Sequence, residues 1–290
     1  MLVREPVAEG SFYPAGRDAC LELMDSLRYV EVPEVLPPRP VAGIVPHAGW
    51  VFSGATALAV LKALKDPRTP KTFVLFGAVH RAIRQSAIFS NGVWRTPLGL
   101  AEVDERLARE ILARADDLLA DDPRAHEQEH SVEVQVPFIQ QLFPHAKIVP
   151  IAVVPGEDAP EIGRRVALAI RNLDADAVCL GSTDLTHYGP AYGFTPKGVG
   201  EEALRWVRDE NDRRMIDLAL RLDAEAAVPE AESRRNACGS GAVAATLAAA
   251  RELGAVQGYL VHYTTSFDVM KERMGRRGFD AAVGYAGLVF

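Results

Sequence analysis

The chain has 290 residues, 48% apolar and 24% charged, an ordinary globular balance that builds a substantial core without disulfide staples. A formal charge of -7 and a pI near 5.6 argue against nucleic acid and anionic membrane surfaces, which select clustered Lys and Arg. No apolar run reaches bilayer-spanning length and the N-terminus lacks the apolar core of a signal peptide. The three cysteines, Cys20, Cys179 and Cys238, make no even framework, so a reduced, cytoplasmic protein is expected.

Gly10-Ser11-Phe12-Tyr13-Pro14 is a loop with two aromatics, either an arm packed on the core or part of a pocket wall. A helix is expected from Arg17 to Tyr29. The four prolines between Glu31 and Pro40 make a linker too short to divide domains, so residues 1–290 read as one domain. Ala42 to Gly54 then reads as a buried strand, His47, a glycine-flanked turn, and a helix from about Thr56 to Lys65 with Ser53 as N-cap. His47 falls at the carboxyl end of its strand, the edge where open α/β sheets bind ligands. The pattern repeats: strand Thr72 to Phe76, then Gly77-Ala78-Val79-His80. The two units describe a right-handed β-α-β crossover with neighbouring parallel strands, placing His47 and His80 on one edge, as two metal ligands require. Ser86 to Phe89 and Val93 to Arg95 read as a hairpin about Asn91-Gly92, closed by Thr96 to Gly99. A helix follows from about Asp104 to Arg114.

His126-Glu127-Gln128-Glu129-His130 matches H-E-x-x-H, which on a helix puts two zinc-ligating histidines on one face with Glu127 as base. Against that, Val132, Val134 and Val136 are β-branched and Pro137 interrupts soon after. In the other reading, Glu129, His130 and Glu133 face a pocket from a helix ending near Phe143. Strands Lys147 to Val153 and Ala175 to Leu180 flank a helix from Ala159 to Arg171. The second strand ends in Gly181-Ser182-Thr183-Asp184-Leu185-Thr186-His187-Tyr188-Gly189. Asp184 as a turn residue leaves His187 three positions on without a reason. Gly198 to Leu222 reads as a long charged helix, mostly solvated. Cys238 opens an alanine-rich helix running to Leu253, where the dipole favours a thiolate. Cys20 and Cys179 read as buried structural thiols. Val256 to Tyr263 and Val283 to Phe290 close as strands, with a basic, solvated loop from Lys271 to Gly278.

Pro46-His47-Ala48-Gly49-Trp50 with Ser53-Gly54, Gly77 to His80, Thr96-Pro97-Leu98, Glu129-His130-Ser131-x-Glu133, Thr183-Asp184-x-x-His187-Tyr188-Gly189 and Cys238-Gly239 occur in this order. Together they resemble the Memo family, whose bacterial and archaeal members include AmmeMemoRadiSam system protein B, from about Arg4 to Phe290. The chain departs from that pattern in Ala78-Val79, where Pro-Ser or Pro-Asn is usual, and in Thr183, where Ser is frequent. The resemblance implies an α/β domain with a central mixed, largely parallel sheet flanked by helices, like class III extradiol dioxygenases. It implies His47, His80 and Cys238 as metal ligands, Asp184 and His187 beside them, and His130 as a further pocket residue. His187 would be the general acid/base, since imidazole titrates near working pH. Asp184 would orient it or add an oxygen ligand. Two imidazoles and a thiolate suit iron(II) or copper, with zinc also admissible. The expected function is a metal-dependent oxidoreductase with an unknown small-molecule substrate. A non-catalytic adaptor on the same fold and a zinc hydrolase are the other readings. AMMECR-type and radical-SAM proteins are the partners the resemblance implies, with no nucleic acid and no membrane.

Overall fold

A computed structural model describes every residue except 28–29, 66–68 and 276–277. The first half of the chain gives β1 (Val3–Arg4), α1 (Arg17–Ser26), β2 (Ala42–Val45), α2 (Trp50–Lys65), β3 (Thr72–Gly77), β4 (Ser86–Ile88), β5 (Val93–Thr96) and β6 (Gly99–Glu102). These are followed by α3 (Glu105–Arg114), β7 (Leu119–Asp121), α4 (Val136–Leu142), β8 (Lys147–Ala152), α5 (Ala159–Asn172), β9 (Ala177–Ser182) and β10 (His187–Tyr188). The last third gives α6 (Glu201–Arg205), α7 (Asp212–Leu220), α8 (Ala224–Arg234), α9 (Ser240–Glu252), β11 (Tyr259–Thr265), α10 (Ser266–Met274) and β12 (Ala282–Val289).

Among the described residues, nine strands form one mixed sheet in the order β10-β12-β2-β9-β3-β8-β4-β7, with β11 paired to β12. Its centre, β2, β9, β3 and β8, is parallel. These strands are short, uniformly apolar and almost wholly buried, the pattern of a sheet covered on both faces. Two glycines show the covering. Ile44 pairs with Gly181, so Gly43 and Gly181 point to opposite faces. A Cβ on Gly43 would lie 2.9 Å from Val60 Cγ1 of α2, and one on Gly181 would lie 2.2 Å from Thr246 Oγ1 of α9. The bare backbones therefore let α2 and α9 press against the sheet from opposite sides.

Several expectations need correction. β2 and β3 are not neighbours: β9 lies between them, although all three run the same way. His47 and His80 still leave the same sheet edge because direction, rather than adjacency, sets it. The hairpin about Asn91-Gly92 does not form. β4 pairs with β7 and β8, whereas β5 pairs with β1 and β6 in a separate three-stranded sheet. The N-terminal strand supplies the competing partner, since Val3 and Arg4 pair with Val93 and Trp94. The hairpin instead joins β5 to β6 across Pro97-Leu98. α2 begins at Trp50, so Ser53 lies inside it, its hydroxyl donating back to the Ala48 carbonyl at 3.0 Å. Trp50 is fixed there because its N–H donates to Phe12 O at 2.8 Å and its Nε1–H to Val134 O at 2.9 Å. The predicted C-terminus of the first helix, Tyr29, and part of the basic 271–278 loop lie outside the described residues. The charged helix from Gly198 is α6, a π-type turn over Trp206–Asn211, and α7, and it is not merely solvated: Asn211 and Asp212 are buried. No helix among the described residues is long and apolar enough to cross a membrane.

One carboxylate gathers several groups of the N-terminal segment. Glu133, 1% exposed, accepts the Arg4 guanidinium, the Val7 and Ala8 N–H groups, and the Tyr13 hydroxyl. The Arg4 guanidinium also lies 4.5 Å over the Trp94 ring.

Candidate metal centre

Three loops deliver imidazoles to one point beyond the carboxyl edge of the sheet. One ligand nitrogen from each of His47, His80 and His130 lies within 4.8 Å of the others. The ring centroids are 5.1 Å apart for His47 and His80, 5.5 Å for His47 and His130, and 4.6 Å for the stacked pair His80 and His130. His47 follows β2, and His80 follows β3. His130 comes from the irregular segment before α4, where the Arg4 guanidinium binds the carbonyls of His126 and Glu129 and holds the chain out of a helix.

The hydrogen bonds on each Nδ1 decide what the rings can offer. Ser182 donates its hydroxyl to Ser131 O at 2.8 Å, so its oxygen accepts His47 Nδ1–H at 3.0 Å. His80 Nδ1–H donates to Glu129 Oε1 at 2.9 Å, and the His80 backbone N–H donates to Glu129 Oε2 at 2.8 Å. In its neutral form each ring is thereby left with a bare Nε2, and the Glu129 contact is the carboxylate–histidine arrangement that orients metal ligands. Cys238 lies beside the cluster: its Sγ is 3.2 Å from His47 Nε2, while the group of mutually close ligand atoms among the described residues is the three imidazoles. The Cys238 backbone is fixed against Asp184, whose N–H donates to Sγ at 3.3 Å and whose carbonyl accepts the Cys238 N–H at 3.1 Å.

Burial sets the charge state. It lowers the pKa of His47, helped by the neighbouring His80 and His130, and keeps that ring neutral. Burial also lowers His130 and His187. At His80 burial opposes protonation, but the hydrogen bond and charge of Glu129 outweigh it and raise the pKa. Glu129 is the converse: burial works to raise it, while the bonds from His80 and the Ser131 N–H hold it well below the usual carboxylate range. Burial pushes Asp184 up to about 7. Cys238 corrects an expectation. Its place just before α9 should favour a thiolate, yet burial and the nearby Asp184 carboxyl push the thiol up. Three imidazoles facing one point, two of them with Nδ1 already committed, could hold a transition-metal ion, which binds such rings in their neutral form.

Asp184 and His187 reach the same site by different routes. Asp184 Oδ1 accepts the His47 N–H at 2.7 Å, so its carboxylate braces the first histidine loop. It does not orient His187, whose Nδ1–H donates instead to the Leu185 carbonyl at 3.0 Å. A cavity of about 490 Å³ opens onto His47, His80, His130, Asp184 and His187. Its remaining wall is largely apolar, including Phe12, Phe52 and Tyr285, with no Lys or Arg among its lining residues. Phe12 therefore serves the pocket, with its ring 4.5 Å from His130, whereas Tyr13 beside it is buried against Glu133.

The H-E-x-x-H reading is overturned. His126 ends a 3-10 turn, Pro123–His126, and is fully buried between Phe89 and Trp94, its Nε2 directed at the Ala87 carbonyl at 3.2 Å. It shares no helix face with His130. Glu133 likewise faces the N-terminal segment and not the pocket. Sequence reasoning missed Ser182 as the partner of His47, although its place between a strand end and Asp184 was a signal. It also missed Tyr192, whose ring lies 5.2 Å from His187 and lines the cavity.

The family model for "Memo-like protein" matches residues 4–289. A MEMO1 family protein of Thermococcus kodakarensis is 41% identical over 298 residues, covering 100% of this chain and 99% of its own. Those of Thermococcus onnurineus and Pyrobaculum aerophilum are 39% and 35% identical, each covering 100% of this chain and 99% of its own. Among solved structures, an uncharacterized protein from Escherichia coli K12 superposes with a TM-score of 0.51 at 13% identity, covering 85% of this chain and 99% of that one. That likeness shows a shared α/β fold. With full-length relatives at this identity and a family match running from the N-terminal anchor to the last strand, the chain belongs to the Memo-like family.

Proposed function

We propose that this protein is a metal-dependent oxidoreductase acting on a small organic molecule, with dioxygen as the class of oxidant and a pocket of the extradiol dioxygenase kind. The observation that carries the reading is the convergence of His47, His80 and His130 on a half-open cavity, with Cys238 Sγ 3.2 Å from His47 Nε2. His47, His80 and Cys238 would hold the ion, and His130 would border it from the cavity side. Bound iron(II) or copper would supply redox chemistry, whereas zinc would supply Lewis acidity alone.

The chain's own residues do the rest. Ser182 and Glu129 hold the His47 and His80 rings in their ligating tautomers. His187, kept neutral by burial and with Nδ1–H committed to Leu185, presents Nε2 to accept a substrate proton. The apolar part of the wall suits an organic ligand, and the absence of a lining Lys or Arg favours a substrate without a localised negative charge.

Metal analysis of protein purified without air or chelator tests this. We expect about one ion per chain, as in open catalytic sites, retained in His130→Ala and lost in His80→Ala and Cys238→Ser. Metal content in Cys238→Ser equal to wild type would remove the thiolate from the ligand set. Retention in Cys238→Ser with loss in His130→Ala would move the ion to the three histidines. Zinc alone, whatever the metals supplied, would sink the redox assignment.

A further inference from the structure

One wall of the cavity is a short segment that follows β10. After β10 the chain folds into a short flap. Gly189 and Phe194 form an antiparallel bridge, with Gly189 N–H donating to Phe194 O at 2.9 Å, and a 3-10 turn, Pro190–Tyr192, lies between them. Gly189 and Gly193, at φ +129 and +60, permit the reversal. The flap carries Tyr192 to the mouth of the cavity, its ring edge-on to His187 at 5.2 Å, with 41% of the residue exposed.

The tip of this flap is gripped from another part of the chain. Arg235 Nη1 donates to Gly193 O and Nη2 to Tyr192 O, both at 3.2 Å, and the guanidinium lies 4.6 Å over the Phe194 ring. A planar fork that bonds two successive carbonyls and stacks on an aromatic ring is a task for Arg that Lys cannot reproduce. Arg235 also sits in the left-handed region at φ +55, uncommon for a side chain of its size, just past the end of α8 and three residues before Cys238.

We propose that Tyr192 is the residue that selects aromatic ligands beside His187, and that Arg235 is the positioning residue that holds it there. The inference rests on the metal-centred reading of the cavity. It adds that the segment carrying the thiol also fastens the substrate-facing wall. Truncating Tyr192 removes an aromatic face from any ring bound at the centre. Removing Arg235 frees the flap and has the same effect without touching the cavity.

The test uses the whole chain loaded with cobalt(II), whose absorption reports exogenous ligands, and compares imidazole with 4-phenylimidazole, which differ by one ring. Arg235→Gly is the cleaner variant because glycine accepts the left-handed backbone, and Arg235→Lys keeps the charge without the fork. In Tyr192→Ala and in Arg235→Gly, 4-phenylimidazole should bind about threefold to tenfold more weakly, the range an aromatic contact carries, with imidazole unchanged. The double variant should be no weaker than the worse single, because one residue acts through the other. Arg235→Lys should resemble Arg235→Gly. Unchanged discrimination in Arg235→Gly, or equal losses for both probes, would overturn the proposal. A second readout needs no metal: chymotryptic cleavage after Tyr192 should be about tenfold faster in Arg235→Gly, since two restraining hydrogen bonds are gone. An unchanged rate would refute the clamp. Failure to load cobalt, by contrast, with faster cleavage in the variant, would fault the metal reading and leave the clamp standing.

Discussion

Glu129 and Glu133 are one helical turn apart in sequence, both buried, and they do opposite jobs. Glu133 binds Arg4, two backbone N–H groups and Tyr13, and fastens the N-terminal segment to the core. Glu129 binds the ring and backbone of His80 and aims a candidate ligand. The segment between them is not a regular helix, so they do not share a face. What a buried carboxylate does is decided by the cation or donor it meets, and that partner lies more than a hundred residues away for Glu133 and 49 away for Glu129.

The comparison breaks most readily at the anchor. Glu133→Ala should cost about 3–5 kcal/mol of stability in denaturant unfolding, because it strands the Arg4 charge in the core. The folded fraction should bind metal as the wild type does. An unaltered midpoint would mean that the N-terminal segment is held by something else.

His126, buried against Phe89 and Trp94, gives a pH signature. Burial lowers it from 6.5 to about 4. As pH falls from 6.5 towards 4 the unfolded chain takes up a proton that the folded state refuses, so the contribution is complete above 6.5 and lost across that window. His126→Gln should flatten the stability–pH curve there by on the order of 2–3 kcal/mol relative to wild type.

At the site, Glu129→Gln should weaken metal binding by about 10–100-fold, the usual cost of removing a partner that orients a ligating histidine. Its loss of stability should be smaller than that of Glu133→Ala. Equal affinity in the variant would reduce Glu129 to a second structural carboxylate. The smallest effect should come from Tyr13→Phe, about 1–2 kcal/mol for one hydrogen bond to a carboxylate, with no change in metal content.

Much of the frame was legible because strands such as Phe73 to Phe76 are short apolar runs ended by glycine, and His47, His80 and Asp184 mark where they end. What the sequence hid were pairings. Nothing local to Ala42 or Thr72 says that residues 177–182 will insert between their strands. Asn91-Gly92 has the chemistry of a hairpin turn and loses it to an N-terminal strand ninety residues upstream. The site followed the same division. Each histidine was visible at its own strand end or loop, but the Ser182 and Glu129 contacts that fix their tautomers depend on long-range folding. So do the burial that keeps the Cys238 thiol protonated and the Arg4 bonds that take His126 off the site.

The insertion of β9 has a consequence in time. The three histidines are all synthesised by residue 130, yet their first two strands acquire the right spacing only when residues 177–182 have entered the sheet, and the sulfur arrives at residue 238. A fragment ending before residue 182 cannot hold the histidines at their final spacing, so any ion they held would report that the sheet around them has closed.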